Sequence, residues 1–275
     1  MPFTVEKVES DGKHRWGVVH CACDLANPSD KLLEKMITVV RDAYGEGELV
    51  EFLEADASVA ARFDVSAIVA ALRQGMPDPA GEGKKPAPLR NVRSETAELL
   101  AEEVLSHVYG IAFPARAQES KGNANQPVLG FDGWGLLASQ GGMSLVLLSV
   151  KASDDAQRPP AITDVIADEC KRMPKEPDKL CRALGALQAL LKRKPEVRTE
   201  IVRMLERLGK GELPELVVAP VLVRGNTKAD LADLATLRAR TGDYDPPAVA
   251  CGAVVSVGAS LDNFGTAVMD TARAA

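Results

Sequence analysis

Residues 130–151 read GFDGWGLLASQGGMSLVLLSVK, and this stretch is the strongest indication of the fold. GFDG is predicted to close one strand and SVK the next, with a polar turn over residues 139–142 between them. Because side chains alternate along a strand, Ser149 and Lys151 are expected to point to the same face of the sheet. An antiparallel hairpin would bring Asp132 beside both. An ammonium that follows the apolar run LVLLSV needs such an anionic partner.

Helices and strands alternate on both sides of this hairpin, which is typical of an α/β fold with a mixed sheet flanked by helices. A loop rich in proline and glycine, residues 75–94, is predicted to separate two domains. We expect a smaller, mainly helical N-terminal α+β domain over residues 1–88, which contacts a partner, and a larger domain over residues 89–275. The predicted strands are 15–24, 111–118, 126–132, 143–151, 216–224 and 248–257. The predicted helices are 31–44, 48–54, 57–74, 95–109, 163–172, 177–192, 195–208, 228–239 and a last one after Ser260.

The composition excludes several classes of protein. The chain has 275 residues, with 33 Lys and Arg against 39 Asp and Glu, so its formal charge is −6. Coating nucleic acid by bulk charge is therefore not expected. No apolar run is long enough to span a bilayer, and the charged N-terminus is unlike a secretory signal. Five scattered cysteines do not form a disulfide framework, so a cytoplasmic protein is expected.

An acid and a lysine at neighbouring strand ends suit the cleavage of phosphodiesters. Asp132 can anchor Mg²⁺ (or Mn²⁺), and Lys151 can orient water or stabilise charge that develops on phosphoryl oxygens. Either residue alone is more often structural, since Asp-Gly turns and strand-ending lysines are common. It is their joint arrangement that points to function.

An acidic helix with Glu98, a strand, GFDG and a strand ending in SVK follow one another in the chain. This order resembles the core of the PD-(D/E)XK nuclease superfamily, and in particular the nuclease subunit of the Hachiman antiphage defence system. The resemblance covers roughly residues 90–275. It implies a metal-dependent DNA endonuclease, acting with a helicase (ATPase) partner in prokaryotic antiviral defence.

One position departs from the superfamily pattern, which has an acid two residues before the lysine where this chain has Ser149. A hydroxyl is a weak ligand for Mg²⁺. Three explanations stay open. Glu98 supplies the second carboxylate as a metal ligand, or Asp154 or Asp155 turns inward, or the site is impaired and the protein binds DNA or a partner without cleaving.

Charge is unevenly distributed along the chain. Residues 171–210 carry twelve Lys and Arg against five acids, a net charge of +7, which leaves −13 for the rest. Salt-bridged helical surface is the usual explanation of such a run. Downstream of a candidate nuclease strand it also predicts contact with a phosphate backbone, most densely at Lys192, Arg193 and Lys194.

Other candidate sites are disfavoured. His20, Cys21 and Cys23 form HCAC on a predicted strand, but no second Cys/His cluster completes a set of four metal ligands. The three histidines accompany no pattern typical of a Ser-His-Asp hydrolase. No phosphate-binding loop of the GxxxxGK[ST] type occurs, so no nucleotide cofactor is expected.

Overall fold

The computed structural model describes residues 2–55, 61–82, 91–116, 131–139, 142–191, 194–245 and 247–274. These residues form an α/β fold built on one mixed, six-stranded sheet with the strand order β1-β2-β6-β5-β4-β3. The strands are β1 (Thr4–Asp11), β2 (His14–His20), β3 (Gly133–Ser139), β4 (Gly142–Ser153), β5 (Leu216–Arg224) and β6 (Ala248–Ser256). The mixed α/β sheet that the sequence predicts is therefore confirmed.

Helices cover both faces of this sheet. They are α1 (Lys31–Ala43), α2 (Glu46–Ala55), α3 (Val65–Gln74), α4 (Pro79–Glu82), α5 (Asn91–Tyr109), α6 (Ile162–Arg172), α7 (Pro177–Leu190), α8 (Pro195–Gly209), α9 (Ala235–Ala239) and α10 (Leu261–Arg273). Short 3₁₀ turns lie at Met173–Lys175, Leu231–Leu234 and Thr241–Asp243. Within the described residues, no helix is long and apolar enough to cross a membrane.

The two faces of the sheet have separate hydrophobic cores. One core packs α1, α5 and α10 against Val146, Leu148 and Val150 of β4. The other packs α6, α7 and α8 against Leu145 and Leu147 of the same strand. Strands β2, β6, β5 and β4 run parallel to one another, while β1 and β3 are antiparallel at the two edges.

The N-terminal segment is part of this one sheet. Strand β2 pairs in parallel with β6, and Trp16 lies opposite Gly252. Trp16 is fully buried, and a Cβ at position 252 would lie within 2.5 Å of its ring, so only glycine leaves room there. Strands from both sides of the predicted boundary at residue 88 therefore belong to the same sheet, because β2 pairs with β6. The contact of this segment with a partner stays a prediction.

Two strand predictions need correction around the hairpin. Residues 111–116 form no strand, only a single bridge from Ala112 to Leu136. The strand before the turn begins at Gly133, the last residue of GFDG, so Phe131 and Asp132 lie just before β3 and not within a strand. The stretch Gly133–Ser139 pairs with β4 from Gly133 opposite Leu148 to Ser139 opposite Gly142. Of the predicted strand 126–132, residues 126–130 lie outside the described residues.

Most helix ends follow local signals, with small shifts. Gly45 and Gly110 have positive φ directly after helices, as expected of C-terminal glycines. Ser260 accepts a hydrogen bond from the Asn263 N–H and caps α10. The sequence favours Ser29 as the N-cap of α1, but the cap is Asp30, since its carboxylate accepts from two backbone N–H groups of the first turn.

Candidate active site

Asp132 is fixed at the edge of the sheet where β4 extends beyond β3. Its backbone N–H donates to the Leu148 carbonyl at 3.1 Å, and its Oδ2 accepts the Val150 N–H at 2.7 Å. The carboxylate thus accepts the hydrogen bond that the Val150 N–H would otherwise donate to a neighbouring strand. The hairpin therefore holds Asp132 beside the end of β4, as predicted.

Lys151 lies between two carboxylates. Its Nζ is 3.2 Å from Asp132 Oδ2 and 2.9 Å from Glu169 Oε2. Burial by itself lowers the pKa of Lys151, but the charges and hydrogen bonds of Asp132 and Glu169 outweigh it and raise that pKa above its usual value. Lys151 is accordingly an ammonium at neutral pH. Asp132, the anionic partner of Lys151 that the sequence predicts, is present, and Glu169 is a second one.

Glu169 is a site residue that the sequence analysis missed. It lies near the end of α6, and its Oε2 accepts a hydrogen bond of 2.5 Å from the Ser149 hydroxyl. Ser149 is almost fully buried and faces α6, on the same side of β4 as Lys151. A carboxylate from the helix therefore occupies the space above the position where the motif would have its acid.

The helical pattern contains a signal for Glu169. Ile166 and Cys170 are buried against β4 and β5, and Glu169 is three residues after the first and one before the second. That spacing places Glu169 at the margin of the face that packs on the sheet. An acid at such a position could be noticed from the sequence, but its strand partner could not.

The donor set fits a divalent cation of the Mg²⁺ type. Asp132, Lys151 and Glu169 carry a net charge of −1, and each side chain is 21–29% exposed, so the cluster is accessible from solvent. Mg²⁺ is commonly bound through one or two carboxylates together with water and substrate phosphates. Among the described residues, no group of three or more His, Cys, Asp or Glu side chains is arranged to hold a metal ion. The carboxylates that the structure places beside Lys151 are those of Asp132 and Glu169.

Glu98 lies on the helix that packs against the other face of the sheet. It is half-buried on α5, which packs on the face of Val150 and not on that of Ser149. Glu102, one turn further along α5, has its Oε1 3.2 Å from where a Cβ of Gly133 would lie. The acidic stripe of α5 thus passes close to the start of β3. The role of Glu98 as a metal ligand stays a prediction.

The two aspartates beyond β4 have other partners. Asp154 pairs with Arg93 at 3.3 Å and accepts from the Leu261 N–H at 3.3 Å. Asp155 is exposed and accepts from the Gln157 N–H at 2.9 Å. These contacts hold both carboxylates away from Ser149, so the geometry favours Glu169 over either of them as the second acid.

The basic segment forms α7, α8 and the end of α6, on the same face of the sheet as Ser149. Of its predicted nucleic-acid contacts, Lys192 and Arg193 lie outside the described residues. Lys194 is exposed at the start of α8, and its Nζ donates to the Pro114 carbonyl at 2.8 Å. Several other cations of the segment pair with nearby acids, such as Lys210 with Glu206 at 2.7 Å.

Comparison with protein-family models, with curated proteins and with solved structures finds no match for this chain. The chemistry of the site is therefore inferred from its own residues. The resemblance to PD-(D/E)XK nucleases stays an expectation drawn from sequence motifs.

Replacing Lys151 with Met is expected to lower the free energy of unfolding by about 1–3 kcal/mol near neutral pH, because two carboxylates lose the ammonium between them. Since the pKa of Lys151 is raised in the folded state, this stabilisation is complete below the unfolded pKa of about 10.5 and is lost as pH rises through the folded pKa. Urea unfolding of both proteins, at about pH 8 and in steps above pH 10.5, measures the difference.

The matched control is Lys210→Met, which removes an ammonium from an exposed helical pair. It should change stability far less than Lys151→Met. A difference between wild type and Lys151→Met that does not shrink at high pH would contradict the paired ammonium.

Proposed function

We propose that this chain is a Mg²⁺-dependent DNA endonuclease subunit of a prokaryotic antiviral defence system, and that it acts with a helicase partner. The observation that carries the nuclease part is Lys151 held between Asp132 and Glu169 at the end of a hairpin. The defence role and the helicase partner rest on the resemblance of the motifs alone.

Each residue of the cluster has a distinct role in this proposal. Oxygens of Asp132 and Glu169 would hold the metal, and Glu98 is a further candidate ligand. Lys151, an ammonium at neutral pH, attracts the scissile phosphate and stabilises negative charge on its oxygens, but it cannot take a proton from water. Ser149 positions Glu169 through its hydrogen bond. When bound, Mg²⁺ would neutralise phosphate charge and promote ionisation of attacking water.

The basic helices support DNA as the substrate. They share a sheet face with Ser149, and Glu200 of α8 lies 3.7 Å from the position of a Cβ on Gly142, at the far end of β4. From Gly142 to Lys151 the strand spans about 30 Å. This length corresponds to about nine base pairs of duplex, so one face can contact both the cleaved phosphate and the flanking backbone.

Nicking of supercoiled plasmid tests the proposal. Wild type is expected to cleave in Mg²⁺ or Mn²⁺, while Asp132→Ala and Lys151→Ala lose about 10²-fold or more of the rate. Asp155→Ala, which removes an exposed carboxylate at the same end of β4, is the matched control and should cleave like wild type. Unchanged cleavage by both Asp132→Ala and Lys151→Ala would exclude this site. The assay is run with and without the candidate helicase.

Binding without the partner is expected to be weak and salt-dependent, because the chain is acidic overall and only its helical block is basic. Fluorescence anisotropy of a labelled duplex over a range of salt concentrations measures this.

The alternative function is a catalytically impaired subunit that binds DNA or a partner without cleaving. Ser149, a hydroxyl at the acid position, is the observation that favours it. Titration with Mn²⁺ distinguishes the two, since an impaired site should bind no metal at Asp132.

A further inference from the structure

A polar cavity lies where β2 and β6 end. Its volume is about 360 Å³, and it is lined by polar groups from three parts of the chain, namely His20, Cys21, Cys23, Asn226, Lys228 and Ser256. Strand β5 separates it from the hairpin of Asp132 and Lys151. Its size is within the range of small-molecule sites.

Three residues form a hydrogen-bonded chain at this cavity. The Ser256 Oγ is 2.9 Å from His20 Nδ1, and His20 Nε2 contacts Glu6 Oε2. Ser256 and His20 end their strands and are paired in the parallel register of β6 and β2. Glu6 lies at a register shift between Val5 and Lys7, and such a bulge redirects a side chain. The arrangement has a hydroxyl, an imidazole and an orienting carboxylate in sequence.

The neutral tautomer of His20 with its proton on Nε2 satisfies both hydrogen bonds. Hydrogen bonds from His20 and Lys228 lower the pKa of Glu6, so its carboxylate is ionised and accepts from Nε2–H. Nδ1 is then the unprotonated nitrogen, and the Ser256 hydroxyl donates to it. This is the protonation state in which an imidazole acts as general base toward a hydroxyl.

The two thiols in the cavity are not expected to act as nucleophiles in place of the Ser256 hydroxyl. Burial raises the pKa of Cys21 to about 12 and that of Cys23 to about 12. Both are therefore uncharged at neutral pH, and the thiolate is the reactive form of cysteine. Ser256, which is buried and lines the cavity, has the hydroxyl that lies within hydrogen-bond distance of His20.

We propose that Ser256 and His20 hydrolyse small carboxylic esters in this cavity, with Glu6 as the positioning residue. The Ser256 Oγ forms a bond to the carbonyl carbon while its proton moves to His20 Nδ1. The bond from that carbon to the leaving oxygen breaks, and the alcohol departs with the proton. Water then attacks the carbonyl carbon of the acyl-serine and gives a proton to Nδ1. The bond from that carbon to Oγ breaks, the proton moves from Nδ1 to Ser256 Oγ, and the carboxylic acid is released. Asn226 and Lys228 line the cavity and provide N–H donors for the charged carbonyl oxygen.

Labelling and turnover of the full chain test this proposal. A fluorophosphonate probe is expected to modify Ser256, identified by peptide mass mapping, and p-nitrophenyl acetate is expected to be hydrolysed. Ser256→Ala and His20→Gln should each lose labelling and at least about 10²-fold of the hydrolysis rate. Ser153→Ala is the matched control, because Ser153 is also buried and ends the parallel strand β4, yet it only accepts from the Asp155 N–H. It should be labelled and active like wild type.

The pH profile distinguishes positioning by Glu6 from a structural role. The titratable or polar groups around His20 in the described residues are Glu6, Cys21, Cys23, Asp24, Asn226, Lys228 and Ser256. Glu6→Gln should move the acidic limb of the pH–rate profile to lower pH, because the imidazolium form of His20 loses its carboxylate partner. The same variant should reduce kcat more than it changes KM. An unchanged limb would contradict the role given to Glu6.

Two results would overturn the proposal: no labelling of a folded wild-type chain, or labelling that persists in Ser256→Ala. Circular dichroism of each variant establishes that it is folded. Asp132→Ala should retain labelling and ester hydrolysis, so this test stands apart from that of the nuclease.

Discussion

Replacing Glu169 with Ser is expected to reduce Mg²⁺-dependent plasmid nicking by about 10²–10³-fold, the size of effect seen when one preorganised charged or polar contact is removed from an active site. Glu169 is the second carboxylate beside Lys151 and the acceptor for Ser149. Without it, Asp132 is the one of these two carboxylates that remains beside the ammonium, and the affinity for metal should fall as well. Initial nicking rates over a Mg²⁺ titration measure both effects.

Moving the carboxylate back to the strand should restore activity in part. The Ser149 hydroxyl is 2.5 Å from Glu169 Oε2, so a glutamate at position 149 can direct its carboxylate to nearly the same place. The double variant Ser149→Glu/Glu169→Ser is therefore expected to cleave faster than Glu169→Ser alone. Ser149→Glu by itself places two like charges together and should lower stability.

Two outcomes would remove Glu169 from the site. One is a Glu169→Ser protein that cleaves at the wild-type rate. The other is a Glu169→Ser protein that needs no more Mg²⁺ than wild type for half-maximal cleavage. Asp164→Ser is the matched control, since Asp164 is an exposed acid in the first turn of the same helix.

The fragment 89–275 is expected not to fold cooperatively by itself. Removing residues 1–88 takes away β2, which pairs with β6, and exposes one edge of that central strand. It also removes α1, whose Leu32, Met36 and Val40 are buried in the core with α5 and α10. Circular dichroism during heating should show a broad, weak transition for the fragment and a sharp one for the full chain.

Two further proteins make this test specific. Co-expression of residues 1–88 with residues 89–275 should reconstitute the sheet, because the chain is then cut only within the proline-rich loop. Trp16→Ala in the full chain should cost about 3–5 kcal/mol, since Trp16 is fully buried. A fragment 89–275 that melts cooperatively would support residue 88 as a domain boundary.

Prediction from sequence succeeded where the signal was local. The apolar strand Leu216–Arg224 and the helix after Ser260 follow from neighbouring residues, and both are found as expected. Strand β1 was missed because its side chains are almost all exposed and charged or polar, so it has no apolar pattern and is held by backbone pairing with β2. The start of β3 was misplaced because a glycine, Gly133, begins the strand.

The sequence by itself determined that Asp132, Ser149 and Lys151 would lie together, because a short hairpin sets the register between residues close in the chain. Only the tertiary structure decided which acid completes that cluster. Glu169 meets Ser149 because α6 docks on one face of β4, while Glu98 is on a helix that packs against the other. Likewise His20 and Ser256 are 236 residues apart and meet only through parallel pairing of β2 with β6. Such contacts depend on how elements pack, and packing joins residues whose local patterns carry no information about each other.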